Sequence, residues 1–129
     1  MSNKIIFDAS AVIALLAKEK GFEVIKKHLK NAVISSVNAS EVYKYCIDKK
    51  NLTLDECKSI MDISGIKVLD FNDNQALIAG DLYPKTKEFG LSLGDRACIA
   101  LAVDKEYPVL TCDKIWEKTN LGINFIMVR

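Results

Sequence analysis

Short apolar runs recur along the chain, separated by mixed segments of helical length. The runs are KIIF (4–7), AVIS (32–35), IKVL (66–69), PVLT (108–111) and NFIMV (124–128). They are rich in β-branched residues and nearly continuous in apolar character, the pattern of strands buried on both faces. Between them lie helix-length segments at 10–18 and 22–30, 38–49 and 53–63, 72–82 and 92–106, with a short one at 114–118. Strand and helix alternate throughout, which predicts an α/β fold: a parallel sheet with helices on both faces. No repeat, linker or low-complexity stretch interrupts the pattern. A chain of 129 residues suits one domain, 1–129, with a core of its own.

One segment breaks the rule that buried elements avoid charge. In SLGDRACIALAV, seven apolar residues from Ala97 to Val103 follow an Asp and an Arg. Open parallel sheets place their sites at the carboxyl ends of the strands. Asp8 comes directly after KIIF, Glu41 one turn after AVIS, and Asp113 just after PVLTC. In a right-handed crossover the returning helix runs antiparallel to the strands, so the head of 92–106, with Asp95, reaches the same edge. Four carboxylates can therefore converge if their strands are neighbours. A helix N-terminus also favours negative charge. Ser92-x-x-Asp95 and Asn38-x-x-Glu41 both have capping-box spacing. Asp8 and Asp113 fit N-caps of short helices. Asp70, Asp73 and Asp81 compete for the same role, but Asp81 sits late in its helix, on the opposite edge.

Carboxylates gathered at one edge repel one another unless a cation lies among them. The candidate donors are all oxygens, which suits Mg²⁺ or Mn²⁺. Such a cluster supports phosphodiester hydrolysis by an activated water. No Ser-His or Cys-His pattern competes with that chemistry.

Composition narrows the field. The chain is 50% hydrophobic and 27% charged, as in an ordinary soluble globular protein. No apolar run approaches the ~20 residues of a membrane span. The N-terminus passes straight into strand-like sequence without signal-peptide architecture, so a cytoplasmic location, with no membrane partner, is expected. Cys46, Cys57, Cys98 and Cys112 form no C-x-x-C pair, and His28 is the one histidine, so a zinc site is excluded. Cys98 and Cys112 sit inside apolar runs and are expected to be buried reduced thiols. A net charge of +1 excludes a polyanion binder acting through bulk charge. Local lysines remain at 26, 27 and 30, at 49 and 50, and at 85 and 87, and each group also fits a solvated surface.

FDASAVIALL, VNASEVYKY, SLGDRACIALA and VLTCDKIW, in this order and spacing, resemble the PIN-domain ribonucleases, and specifically the VapC toxins of type II toxin–antitoxin modules. The resemblance spans essentially the whole chain, including the closing NFIMVR. It implies a three-layer α/β/α domain with five parallel strands ordered 3-2-1-4-5. That order sets Asp8 beside Asp95 and Asp113, with Glu41 near them, and moves Asp70 to an edge strand. It implies Asp8, Glu41, Asp95 and Asp113 as catalytic metal ligands for Mg²⁺ or Mn²⁺. Ser10 matches a supporting hydroxyl position and also fits an N-cap of 10–18. The implied activity is endoribonucleolytic cleavage of RNA, often tRNA or ribosomal RNA. The implied partners are a VapB antitoxin and a second copy in a homodimer, with promoter DNA reached only through the antitoxin complex. The family often reads T-A-D-R near its last acid, whereas here it is Thr111-Cys112-Asp113-Lys114. Lys keeps the charge and loses the bidentate fork of Arg.

Arg96, Lys114 and Trp116 are candidate RNA contacts: Trp116, like Tyr43 and Tyr45, fits either base stacking or core packing, with packing favoured, and Arg96 fits either an RNA phosphate or a neighbouring acid. Two apolar helix faces, Val12, Leu15 and Leu16 and then Val24, Ile25 and Leu29, fit either core or an antitoxin groove. Two other function classes are weighed. A phospho-acceptor receiver with Asp70 as acceptor shares the length and sheet type, but receivers usually carry two adjacent acids after the first strand, and Asp8 lies between Phe7 and Ala9. A catalytically silent PIN scaffold is the other, and the presence of all four acids argues against it.

Overall fold

The computed structural model describes residues 3–129. Five parallel strands form one sheet: β1 (Ile5–Phe7), β2 (Ala32–Ser35), β3 (Lys67–Leu69), β4 (Val109–Thr111) and β5 (Phe125–Met127). Their order is β3-β2-β1-β4-β5. All four pairings are parallel, with Ile6 opposite both Val33-side and Val109-side neighbours in the middle of the sheet. The expected order is the observed one. Of residues 1–129 expected to form the domain, the first two lie outside the described residues.

Side chains alternate across the sheet with the two-residue period of a strand. Phe7, Ile34 and Leu110 enter one core, with residues of α1 (Ala9–Leu16), α2 (Phe22–Lys27), α3 (Ser36–Lys50) and α4 (Leu54–Ser64). Ile6, Val33 and Val109 enter the other, with residues of α5 (Asp73–Asp81) and α7 (Leu93–Lys105). Between these last two run α6 (Tyr83–Thr86) and a 3₁₀ turn (Lys87–Phe89).

The strand expectation needs one correction. β2 and β4 are buried along their length, whereas Lys67 and Val68 of β3 are exposed. β3 is an edge strand and has a neighbour on one side only. Helix starts needed another. Ser35 caps α3, its hydroxyl accepting from the Val37 N–H, so the helix begins at Ser36 and Asn38 lies inside it. The Asn38-x-x-Glu41 spacing is therefore not a capping box. Likewise α1 begins at Ala9 and is capped by Asp8, not Ser10.

The apolar faces of the early helices are largely core. Val12 and Ile25 are buried, Leu15, Leu16 and Leu29 pack against them, and Val24 alone stands in solvent. Of the two thiols expected to be buried, Cys98 is buried and Cys112 half-buried. No helix among the described residues is long and apolar enough to cross a membrane.

Candidate active site

Asp8 leaves β1 at its carboxyl end and is 4% exposed. Its Oδ1 accepts from the Ala11 N–H at 2.8 Å and the Ser10 hydroxyl at 2.7 Å. Its Oδ2 accepts from the Thr111 hydroxyl at 2.5 Å. Burial pushes the carboxyl up from 3.8 to about 6. The hydrogen bonds from Thr111, Ser10 and Ala11 oppose that rise, and the charge of Asp95 adds to it.

Ser10 does more than touch Asp8. Its hydroxyl also accepts from the Cys112 N–H at 3.2 Å, tying the head of α1 to the end of β4. Thr111 makes the parallel link, accepting from the Asp113 N–H at 3.0 Å. Asp113 caps the 3₁₀ turn Lys114–Thr119 through the Ile115 N–H and is otherwise exposed.

Asp95 completes a capping box on α7. The Ser92 hydroxyl accepts from the Asp95 N–H at 3.1 Å, and Asp95 Oδ2 accepts from the Ser92 N–H at 2.9 Å. The apolar run behind it is the buried stripe Ala97–Ala102. Glu41 reaches the head of α7 from α3. The Asn38 amide donates to Glu41 Oε1 at 2.8 Å and to the Gly94 carbonyl at 2.9 Å. A Cβ on Gly94 would stand 2.5–2.8 Å from the Glu41 carboxylate atoms.

Cys98, one turn below Asp95, lies within electrostatic reach of three of these acids. Its thiol is pushed well up by burial first, and then by the charges of Asp8, Asp95 and Glu41. Three of the four acids thus act on one buried atom. Asp113 is tied to the end of β4 by its backbone N–H, while its carboxylate is exposed and caps the 3₁₀ turn. Among the described residues, no three His, Cys, Asp or Glu side chains stand close enough to enclose an ion by themselves. The donor set fits a different mode. All its atoms are oxygens, and Mg²⁺ commonly takes one or two carboxylates and keeps several waters.

The remaining candidates separate. Lys114 is exposed beside Asp113. Arg96 and Trp116 need correction. Arg96 donates to the Ala79 carbonyl at 3.0 Å and lies over the Tyr83 ring at 5.3 Å, fastening α7 to α5 and α6. Trp116 is 1% exposed and meets Phe125 edge-on at 5.9 Å, so its ring is core and not a stacking surface. Tyr43 and Tyr45 pack against the core beneath α3. Asp70 follows β3, two strands from β1. Asn38, Gly94 and Thr111 did not stand out as site residues in the sequence. The signals present were a glycine in a helix's first turn and a hydroxyl two residues before Asp113.

The family profile of the PIN domain matches residues 5–121. Comparison with curated protein sequences gave no match. Several solved structures share the fold. A chain of a toxin–antitoxin complex from Klebsiella pneumoniae superposes with a TM-score of 0.72 at 20% identity, covering 98% of both chains. A chain of DNA-bound VapBC from Salmonella typhimurium gives 0.73 at 18% identity, covering 100% of both. A sarcin–ricin loop cleaving VapC toxin of Mycobacterium tuberculosis gives 0.70 at 14%, covering 91% of this chain and 95% of that one.

Proposed function

The chain belongs to the PIN-domain family, and on that premise we propose that it is a metal-dependent endoribonuclease, the VapC-type toxin of a type II toxin–antitoxin pair. The observation that carries the reading is Asp8: a carboxylate buried at the strand-end crevice, held by three donors, beside the charge of Asp95. A fold keeps so unfavourable a charge where a cation or substrate makes use of it.

Asp8, Glu41, Asp95 and Asp113 would hold Mg²⁺ or Mn²⁺. A divalent ion held by these carboxylates would supply the activation of a water for in-line attack on phosphorus. The protein's own part is preorganisation. Ser10 and Thr111 fix the Asp8 carboxylate, and Ser92 fixes Asp95. Lys114, exposed at the same edge, supplies a cation for the RNA phosphate. The substrate class is RNA, with tRNA and ribosomal RNA favoured. The full chain acts as one PIN domain in the cytoplasm, as a homodimer silenced by a VapB-type antitoxin. Promoter DNA is bound only through the antitoxin complex. Complexes of this kind among the structural relatives, one of them DNA-bound, support the partners.

The test is Asp8→Asn. Purified variant with native circular dichroism should no longer cut RNA, and its expression should no longer arrest growth. Cleavage at the wild-type rate, with contaminating nucleases excluded, sinks the reading. Calorimetric Mn²⁺ titration addresses the silent-scaffold alternative, which predicts no binding to the folded protein.

A further inference from the structure

The Asn38 side chain is 2% exposed, and one nitrogen serves two acceptors, Glu41 Oε1 and the Gly94 carbonyl. Two acceptors facing one amide settle its orientation, because only the NH₂ end carries protons for both. Oδ1 is thereby turned away, buried and without a partner. An orphaned buried acceptor costs stability, and an apolar side chain of similar size would avoid that cost. Gly94 is unfavourable for a second reason, since glycine weakens a helix. A Cβ there would collide with the Glu41 carboxylate. Two residues, each locally poor, thus converge on one carboxylate.

We infer that Asn38 and Gly94 form a cradle that positions Glu41 against Asp95, so that both carboxylates present a fixed geometry to a divalent cation. The amide ties Oε1 and leaves Oε2 free of protein hydrogen bonds among the described residues. Because the donor is neutral, it orients the carboxylate without cancelling its charge, as a lysine would. Its second bond, to Gly94, anchors the same amide to the residue directly before Asp95. One side chain therefore sets α3's acid relative to α7's acid. Asn38 is a positioning residue, acting through Glu41. Its functional meaning rests on the nuclease reading, while its effect on cation binding does not.

The test is a cycle of full-length variants titrated calorimetrically with Mn²⁺ in the absence of RNA. Asn38→Ala should weaken binding about 10- to 100-fold, the range for residues that orient a ligand. Gly94→Ala, which leaves the amide intact and displaces the carboxylate, should do the same, and it serves if Asn38→Ala fails to fold. In a Glu41→Gln background, adding Asn38→Ala should change nothing further. A general structural role would weaken binding again in that background, and such a result overturns the inference. So does wild-type Mn²⁺ affinity in both folded single variants. Asp8→Asn is assayed alongside for RNA cleavage. Persistent cleavage there overturns the nuclease reading, while the Mn²⁺ cycle still decides the role of Asn38.

Discussion

Thr111 lies 103 residues from Asp8 in the chain, and its hydroxyl donates to the Asp8 carboxylate at 2.5 Å. The same oxygen accepts from the Asp113 N–H, so one hydroxyl at the end of β4 sits between two of the acids. Thr111→Val keeps the shape and removes the hydroxyl. The Asp8 carboxyl should then rise beyond about 6, because a bond that favours the ionised form is gone. The acid limb of the cleavage–pH profile should move to higher pH. An unmoved limb would show that the hydroxyl does not act on Asp8.

Asp8 itself sets a stability trend. Its folded value, about 6, lies above its ordinary 3.8, so the folded state holds the proton more tightly. Its contribution is fully present below pH 3.8 and is lost as pH rises through about 6. The penalty at neutral pH is on the order of 3 kcal/mol. Asp8→Asn should therefore unfold at higher urea than wild type at pH 7.5 in EDTA, with the gap closing near pH 4. A variant no more stable at either pH contradicts this. Adding Mn²⁺ should raise the wild-type midpoint and leave that of the variant unchanged.

Lys114 and Arg96 carry the same charge and should behave differently. Lys114→Ala should weaken RNA binding and reduce the salt slope by about 0.7, one phosphate contact on a single strand. Arg96→Ala should leave that slope alone and lower stability instead, through loss of the Ala79 bond and the Tyr83 contact. Binding measured across a salt series separates the two, and a changed slope in Arg96→Ala would restore it as a phosphate contact.

Trp116→Ala removes a buried ring and should cost about 3–5 kcal/mol in denaturant unfolding. Trp116→Phe should keep most of the stability and the full RNA affinity. A selective loss of RNA affinity in the Phe variant would contradict the core assignment.

Ser92→Ala should lower stability by about 1 kcal/mol by uncapping α7. It should slow cleavage less than Asp95→Asn, since the carboxylate remains.

The strands were legible because each is apolar enough to read through, and α7 was legible because an apolar run so long has only the interior to go to. Asp95 followed from the direction of a crossover helix. Asn38 was misread because helix-capping spacing is degenerate: Ser35 and Asn38 both offer a capping side chain, and only the backbone decides. One of its two acceptors, Gly94, is 56 residues away. Arg96 and Trp116 stood between two roles for a related reason. A charge or ring beside an acid in sequence says nothing of which way the side chain turns, and both turn inward. β3 looked buried because Ile66, Val68 and Leu69 make an apolar run, while Lys67 within it is the residue that marks an edge strand.

The burial of α7 bears on how the protein can be switched off. Gly94 and Ala97–Ala102 are all buried, so the helix that carries Asp95 moves only if the sheet beneath it moves. Asp8 is fastened to two elements besides its own. An inhibitor that worked by bending this edge would have to work against the whole core. Occupation meets no such resistance: under the proposed function, a group that fills the crevice, or sets a positive charge among its carboxylates, would silence the edge without displacing the scaffold.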